Sequence, residues 1–338
     1  MRIGKVTESV LKRSVLKIIK SDSNKESAAA KSDCAYSIDE NGQKTLSSVA
    51  VFTVNSADAG YYAVHNAANN IFCMGGIPTM AVISILLPET AEEAELKKIM
   101  KSAVRAANDL NIAIDGGHTE VSLAVNKVVI TVTVVGKEVF PIKEGVLSKD
   151  IACDNKKIPS TRVRKDFDIV MTKWTGLEGT AILAEICREK LAERLPDYML
   201  RQAEEFKERI SVKNDSQLAI EAGACYLHDV SMGGIFAALW EIAQRAGCGL
   251  EVDLKKIPIK QETIEITNYL GINPYQLVSG GSLLMLTADG EAMVRVLEKE
   301  GIAASIIGIT TDKNDRIIKN DDEIRYLDKP QADEICRV

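Results

Sequence analysis

The stretch Tyr61–Thr79, YYAVHNAANNIFCMGGIPT, constrains the fold most. As a helix it places Ala63, Val64, Ala67, Ala68, Ile71 and Met74 on one stripe at the 3.6-residue period. The other side carries His65, Asn66, Asn69, Asn70 and Cys73, with no formal charge anywhere in the stretch. His65, Asn69 and Cys73 are i,i+4 neighbours, as are Asn66 and Asn70, so the polar groups form a strip. A solvated helix face usually carries Lys and Glu, and adjacent mid-helix asparagines work against local helix stability. The strip therefore suits a buried or cleft-lining position, where each side chain needs its own partner. Satisfied core amides or a polar subunit contact account for it equally well. Gly75-Gly76 ends the helix and Pro78 blocks its continuation.

Strands and helices alternate on both sides of this helix, which indicates layered α/β domains. In the first half the pattern predicts strands at 49–55, 80–87, 111–115 and 128–137. A helix capped by Thr90 is expected to run to about Leu110. The segment 116–121, GGHTEV, reads as a turn. The pattern dissolves between 141 and 165, which sets a domain boundary: residues 1–140, a linker over 141–165, and residues 166–338. The second half predicts a strand at 168–173 and one long helix over 176–195. Helices at 197–209 and 214–224 follow, then HDVSMGG leading into a helix to about Ala246. Strands at 248–253, 282–288 and 303–309 alternate with helices at 261–270 and 289–300. Residues 21–33 read as a mobile loop, and 5–20 as an amphipathic helix docking on the domain or on a partner subunit.

A chain of 338 residues, 46% hydrophobic and 27% charged, can bury the cores of two ordinary soluble domains. Its net charge of −6 argues against a nucleic-acid surface as the main business. The seven cysteines are dispersed, with no CxxC pair, as expected of a reduced cytoplasmic protein. No stretch approaches the ~18 apolar residues that would span a membrane.

Gly-Gly turns let backbone N–H groups approach a ligand, and a helix N-terminus favours anions. Three places qualify: Gly116-Gly117-His118-Thr119-Glu120, Asp229 to Gly234, and Ser279 to Ser282. None is a Walker A loop or a GxGxxG fingerprint, and a plain tight turn explains each as well. His65, His118 and His228 all lie in polar segments, but their spacing gives zinc little support. A Ser/His/Asp triad has equally little, because no Gly-x-Ser-x-Gly elbow occurs.

GYYAVHNAANNIFCMGGIPT, ILLPE (85–89), GGHTEV, MTKWTGLEGTAILA (171–184), LHDVSMGGI (227–235) and the tail ADEICRV occur in order along nearly the whole chain. Together they resemble the PurM-like superfamily of AIR synthase-related proteins, and within it the HypE-like hydrogenase expression/formation proteins. The resemblance implies two α/β domains: an N-terminal one that pairs across a homodimer into a β-barrel, and a C-terminal α/β sandwich. It implies ATP in the adjoining cleft, phosphate activation of a substrate oxygen, Mg²⁺ held by aspartates, and association with a maturation partner protein. On that basis Asp33, Asn55, Asn69, Asn70, Gly116, Gly117, His118, Thr119, Glu120, Lys173, Asp229, Gly233 and Gly234 are the candidate nucleotide-binding residues.

The chain departs from the family where metal would sit. Asn55 stands where the family has the Asp ending a strand, and Asn69-Asn70 stand for its Asn-Asp pair. A neutral amide can bond a phosphate but neutralises no charge, so only Asp33 remains as a metal carboxylate and Mg²⁺ dependence is doubtful. Cys336 invites comparison with the terminal acceptor thiol of HypE, yet here Arg337-Val338 follow it. The expectation is a HypE-like homodimer with an ATP-type site and impaired or altered metal-dependent catalysis. The alternative is a non-catalytic nucleotide- or metabolite-binding homodimer on the same scaffold.

Overall fold

The computed structural model describes residues 3–6, 8–22, 34–142 and 166–338. Asp33, Cys153, and all but the first two residues of both the expected loop at 21–33 and the expected linker at 141–165 lie outside them; Ser21 and Asp22 end a helix instead. The chain forms two compact units. One comprises Glu8–Val139 together with Ala181–Ser211, and the other takes the rest of the described chain.

The first unit begins with short helices Glu8–Leu11 (α1) and Lys17–Asp22 (α2), joined by a π-helical turn. Leu11, Val15, Ile18 and Ile19 on this segment are exposed. Then come Ala35–Ile38 (β1), Lys44–Phe52 (β2), the organising helix Ala59–Cys73 (α3), Gly76–Leu87 (β3), Glu93–Leu110 (α4), Ala113–Val121 (β4) and Val129–Glu138 (β5). Their sheet runs β1-β2-β5-β3-β4, antiparallel except for β3 with β4. Leu46, Phe52, Ile83, Ile85, Ile130, Val132 and Val134 alternate along the strands and are buried, as the period-2 pattern requires. Every residue of α3 except Asn66 and Asn70 is buried.

Several expectations change here. The N-cap of α4 is Glu92, and its side chain makes no capping bond, so Thr90 caps nothing. Pro78 sits inside β3 opposite Gly136, where a register shift between Pro78 and Met80 accommodates its missing donor. GGHTEV belongs to β4, Gly116 pairing with Val82 and Gly117 with Ile83. A Cβ at Gly117 would lie 1.8 Å from the Ile83 carbonyl oxygen. This glycine therefore permits a close strand approach, which a short-range reading takes for a turn.

Asp168–Thr172 (β6) belongs to the second unit, and Leu177–Ile186 (α5) leads from it into the Ala181–Ser211 segment of the first. The expected long helix breaks at Cys187 and resumes as Arg188–Ala192 (α6), followed by Asp197–Glu204 (α7) and a 3-10 turn Glu205–Arg209. Lys213–Glu221 (α8), Tyr226–Asp229 (β7), Gly234–Ala246 (α9), Gly249–Asp253 (β8), Gln261–Leu270 (α10), Leu283–Thr287 (β9), Gly290–Lys299 (α11) and Ala304–Thr311 (β10) follow. Arg316–Asn320 (β11) and Glu323–Tyr326 (β12) were not foreseen, and neither was β1. The seven-stranded sheet runs β12-β11-β8-β10-β6-β9-β7. One large core joins Ile169, Met171, Leu284 and Leu286 of the sheet to Ile235, Leu239 and Ile242 of α9.

Candidate functional site

β6 and β7 both lie antiparallel to β9, between them in the sheet. The carboxyl ends of β6 and β7 therefore meet the amino end of β9. Three loops converge there: 173–176 after β6, 230–233 after β7, and 277–282 before β9.

Buried polar bonds knit these loops together. Lys173 has φ +57° and is buried, its Nζ 3.1 Å from the Asp215 carboxylate and donating to the Gly281 carbonyl at 2.7 Å. Ser282 Oγ donates to the Trp174 carbonyl at 2.6 Å, and Gly176 N–H donates to Ser279 Oγ at 2.5 Å. Val230 N–H donates to Ser282 O at 2.9 Å, and Ser279 N–H to Val230 O at 3.1 Å. Backbone strain in a buried lysine and this density of polar bonds mark positions that the surroundings over-determine.

Carboxylates of the chain itself occupy two of the Gly-turn N–H groups. Gly280 N–H donates to Glu178 at 3.2 Å, and Gly233 N–H to Asp333 at 2.5 Å. Asp333 also accepts from Val278 and Ile335. Burial pushes its carboxyl above the ordinary range and outweighs those N–H bonds, which act the other way. Gly234 has φ +64°, and a Cβ there would meet the Tyr275 and Leu277 carbonyl oxygens at 2.6 and 2.7 Å. Asp229 ends β7 and is buried. Thus Lys173, Asp229, Gly233 and Gly234 come together at one end of one sheet.

The remaining candidates lie in the other unit. Asn69 is fully buried and its amide donates to the Ile210 carbonyl at 2.9 Å. Asn70 is half-buried and donates to Ser48 Oγ at 2.8 Å. Asn55 is exposed, as are Gly116 to Glu120 on the edge strand β4. His118 and Glu120 form a surface pair at 3.0 Å, which holds the Glu120 carboxyl below its ordinary value. Near Asn55, Glu185 takes the Ser56 hydroxyl at 2.7 Å and the Ala57 N–H at 2.6 Å. His65 is buried and His228 bonds Glu241 at 2.9 Å. Among the described residues no group of three His, Cys, Asp or Glu side chains could hold a metal.

Cys336 lies on the 3-10 turn Glu334–Arg337 with its surface largely open, and the partial burial of its thiol, with the Asp333 charge second, pushes the thiol up. That lowers the thiolate fraction a nucleophile needs. Asp215, Glu178 and Asp333 escaped the sequence reading, since nothing local marks an acidic residue that will be buried against a distant loop.

Models of the AIR synthase related proteins match both halves: the N-terminal domain model over residues 25–137 and the C-terminal domain model over 168–320. A protein of Methanocaldococcus jannaschii named for hydrogenase expression/formation is 26% identical, over 83% of this chain and 79% of its own length. The carbamoyl dehydratase HypE of Rhodobacter capsulatus is also 26% identical, over 74% of this chain and 69% of its own. A thiamine monophosphate kinase solved with AMPPCP and TMP has a TM-score of 0.71 at 19% identity, covering 99% of this chain and 98% of that one. HypE in a HypE–HypF complex gives 0.70 at 20%, covering 94% and 99%. HypE in complex with ATP gives 0.65 at 20%, covering 99% and 98%. The fold is thus the two-domain PurM-like one. The chain belongs to the AIR synthase related family, on its HypE-like side.

Proposed function

We propose that this protein binds an ATP-type nucleotide and uses it to activate a small amide, carboxylate or thiocarboxamide substrate, with altered dependence on divalent metal. The observation that carries the reading is the convergence of the loops after β6 and β7 with the loop before β9. It gathers Lys173, Asp229 and the Gly233–Gly234 turn at the carboxyl ends of two neighbouring strands, where α/β sheets place their ligands. The HypE–ATP complex and the nucleotide-bound kinase on the same fold support an ATP-type ligand. The two family matches support domains at 1–140 and 166–338 joined by a linker over 141–165, although Ala181–Ser211 cluster with the first unit.

Mg²⁺ takes hard, preferably anionic oxygen ligands. The described residues fit that ion poorly, because Asn55 and Asn70 are neutral and the Asn70 amide is committed to Ser48. The same observation favours a second reading, a nucleotide-binding homodimer without turnover. Calorimetric titration of ATP with and without Mg²⁺, followed by phosphate release, separates the two. Brisk Mg²⁺-dependent release would refute the altered-metal reading. ATP binding without release would favour the non-catalytic one, and no ATP binding would refute both.

A homodimer is supported by the face of the first sheet turned away from α3. Val49 and Val51 are 57% and 59% exposed there, and Val121 at the end of edge strand β4 is 63% exposed. An unpaired edge strand beside an exposed apolar face invites a second strand. A stable monomer by light scattering at micromolar concentration would refute this. HypE is known with a partner in the HypE–HypF complex, which supports a maturation partner here too. No helix of the described chain is long and apolar enough to cross a membrane. We take the protein to work in the cytoplasm.

A further inference from the structure

The C-terminal segment is fastened to its unit through one buried carboxylate. Asp333, 2% exposed, accepts the N–H groups of Gly233 at 2.5 Å, Val278 at 3.2 Å and Ile335 at 2.9 Å. Gly233 caps the N-terminus of α9, and Val278 leads into the Ser279–Ser282 turn. The Ile335 bond winds the segment's own last turn. Ile335 and Glu334 are buried beside Asp333, and Glu334 pairs with Arg337 at 2.9 Å. Gly4 lies over the segment so closely that a Cβ there would stand 2.8 Å from the Ala332 Cα. Among the described residues no cationic side chain pairs with Asp333, and Glu334 repels it.

The carboxylate therefore holds its place through backbone N–H groups alone, as a phosphate on the same turn would. Both are anions with several acceptor lone pairs, and the Gly233 N–H cannot serve both at full strength. A carboxylate buried without a counter-charge is also costly to keep, so its displacement by a better-matched anion is cheap. We propose that Gln331–Val338 is a self-inhibitory strap: Asp333 occupies the Gly233–Gly234 turn, and an anionic ligand gains that turn only when the strap is released. The proposal rests on the nucleotide reading of this turn, and it adds regulation by a segment of the same chain.

The test uses the full-length protein in two arms. In the first, amide hydrogen exchange without ligand compares wild type with Asp333→Ala. Exchange at Gly233, Val278 and Ile335 should quicken at least tenfold while the core strands keep their protection. Unchanged exchange there would overturn the fastening. In the second arm, Asp333→Ala and a chain truncated after Gln331 are titrated with ATP. Both should bind at least fivefold tighter than wild type, with Asp333→Asn between. A loosened strap with equal or weaker ATP affinity would overturn the competition. Sodium tripolyphosphate serves as a second probe. Tighter binding of tripolyphosphate to Asp333→Ala with no ATP binding keeps the strap and refutes the nucleotide. Binding of neither probe to any variant refutes both.

Discussion

His65 should make the protein acid-sensitive. Its imidazole is 2% exposed, and neither ring nitrogen has a hydrogen-bond partner among the described residues. The Tyr61 ring lies 4.5 Å away, with the Arg105 guanidinium stacked on it at 4.3 Å. Burial first, and the Arg105 charge second, push the His65 pKa down to about 3. Unfolded, the same ring titrates near 6.5, so below that pH the unfolded chain binds the proton first. This stability contribution is full above pH 6.5 and is lost progressively as pH falls toward 3. The two values differ by roughly 3.5, and at ~1.4 kcal/mol per pKa unit the loss is limited to about 5 kcal/mol. At pH 5 the same relation gives a loss of about 2 kcal/mol. The variant His65→Leu removes the titrating group together with two nitrogens whose unpartnered burial costs about 1–3 kcal/mol each. Urea unfolding of both proteins at pH 8 and pH 5, at one protein concentration, reads the difference. The wild type should lose about 2 kcal/mol more than the variant over that interval, and the variant should be no less stable at pH 8. Parallel losses in the two proteins would refute the reasoning, and so would an NMR titration that places His65 near 6.5.

Gly116 and Gly117 should respond differently to alanine. Gly117→Ala meets the Ile83 backbone and should lower stability by about 2 kcal/mol or more, whereas Gly116→Ala has open space and should be nearly neutral in thermal unfolding. Lys173→Met strands the buried Asp215 carboxylate and should cost about 3–5 kcal/mol, of which the double change with Asp215→Leu recovers a large part. Cys336→Ser should leave folding and ATP affinity unchanged, because the thiol is exposed and takes no part in the Asp333 bonds.

Periodic elements were legible wherever one face is buried. α4 and β5 carry the periodicity that a half-buried element imposes, whereas the central strands β6 and β9 read as short continuous apolar runs because they are buried almost throughout. β1 and β12 are exposed along their whole length, so burial imposed no pattern on them. The break at Cys187 was invisible because residues on both sides of it form helix equally well. Among the candidate residues, sequence could supply the loops. It could not supply the acidic partners Asp215, Glu178 and Asp333, whose contacts span roughly forty to a hundred positions along the chain.

The polar strip on α3 divides once its surroundings are known. His65, Asn69 and Cys73 point into packed structure, where Asn69 spends its amide on the Ile210 carbonyl that follows the 3-10 turn. An aspartate could not replace that amide, because a carboxylate has no proton to offer a carbonyl oxygen. Asn70, half-buried one residue on, bonds the Ser48 hydroxyl, which can donate as readily as accept. Asn70→Asp would thus keep its partner by a turn of the serine rotor, whereas Asn69→Asp would strand the Ile210 carbonyl. Carboxylates can therefore be introduced at Asn55, which is exposed, and at Asn70 without stranding a partner. The double variant Asn55→Asp, Asn70→Asp should fold with a midpoint near wild type and gain Mg²⁺ dependence in ATP titrations. Asn69→Asp should lose about 1–3 kcal/mol of stability instead. Equal damage from Asn69→Asp and Asn70→Asp would show that both amides are structural and would remove the basis for reading Asn70 as a former metal position.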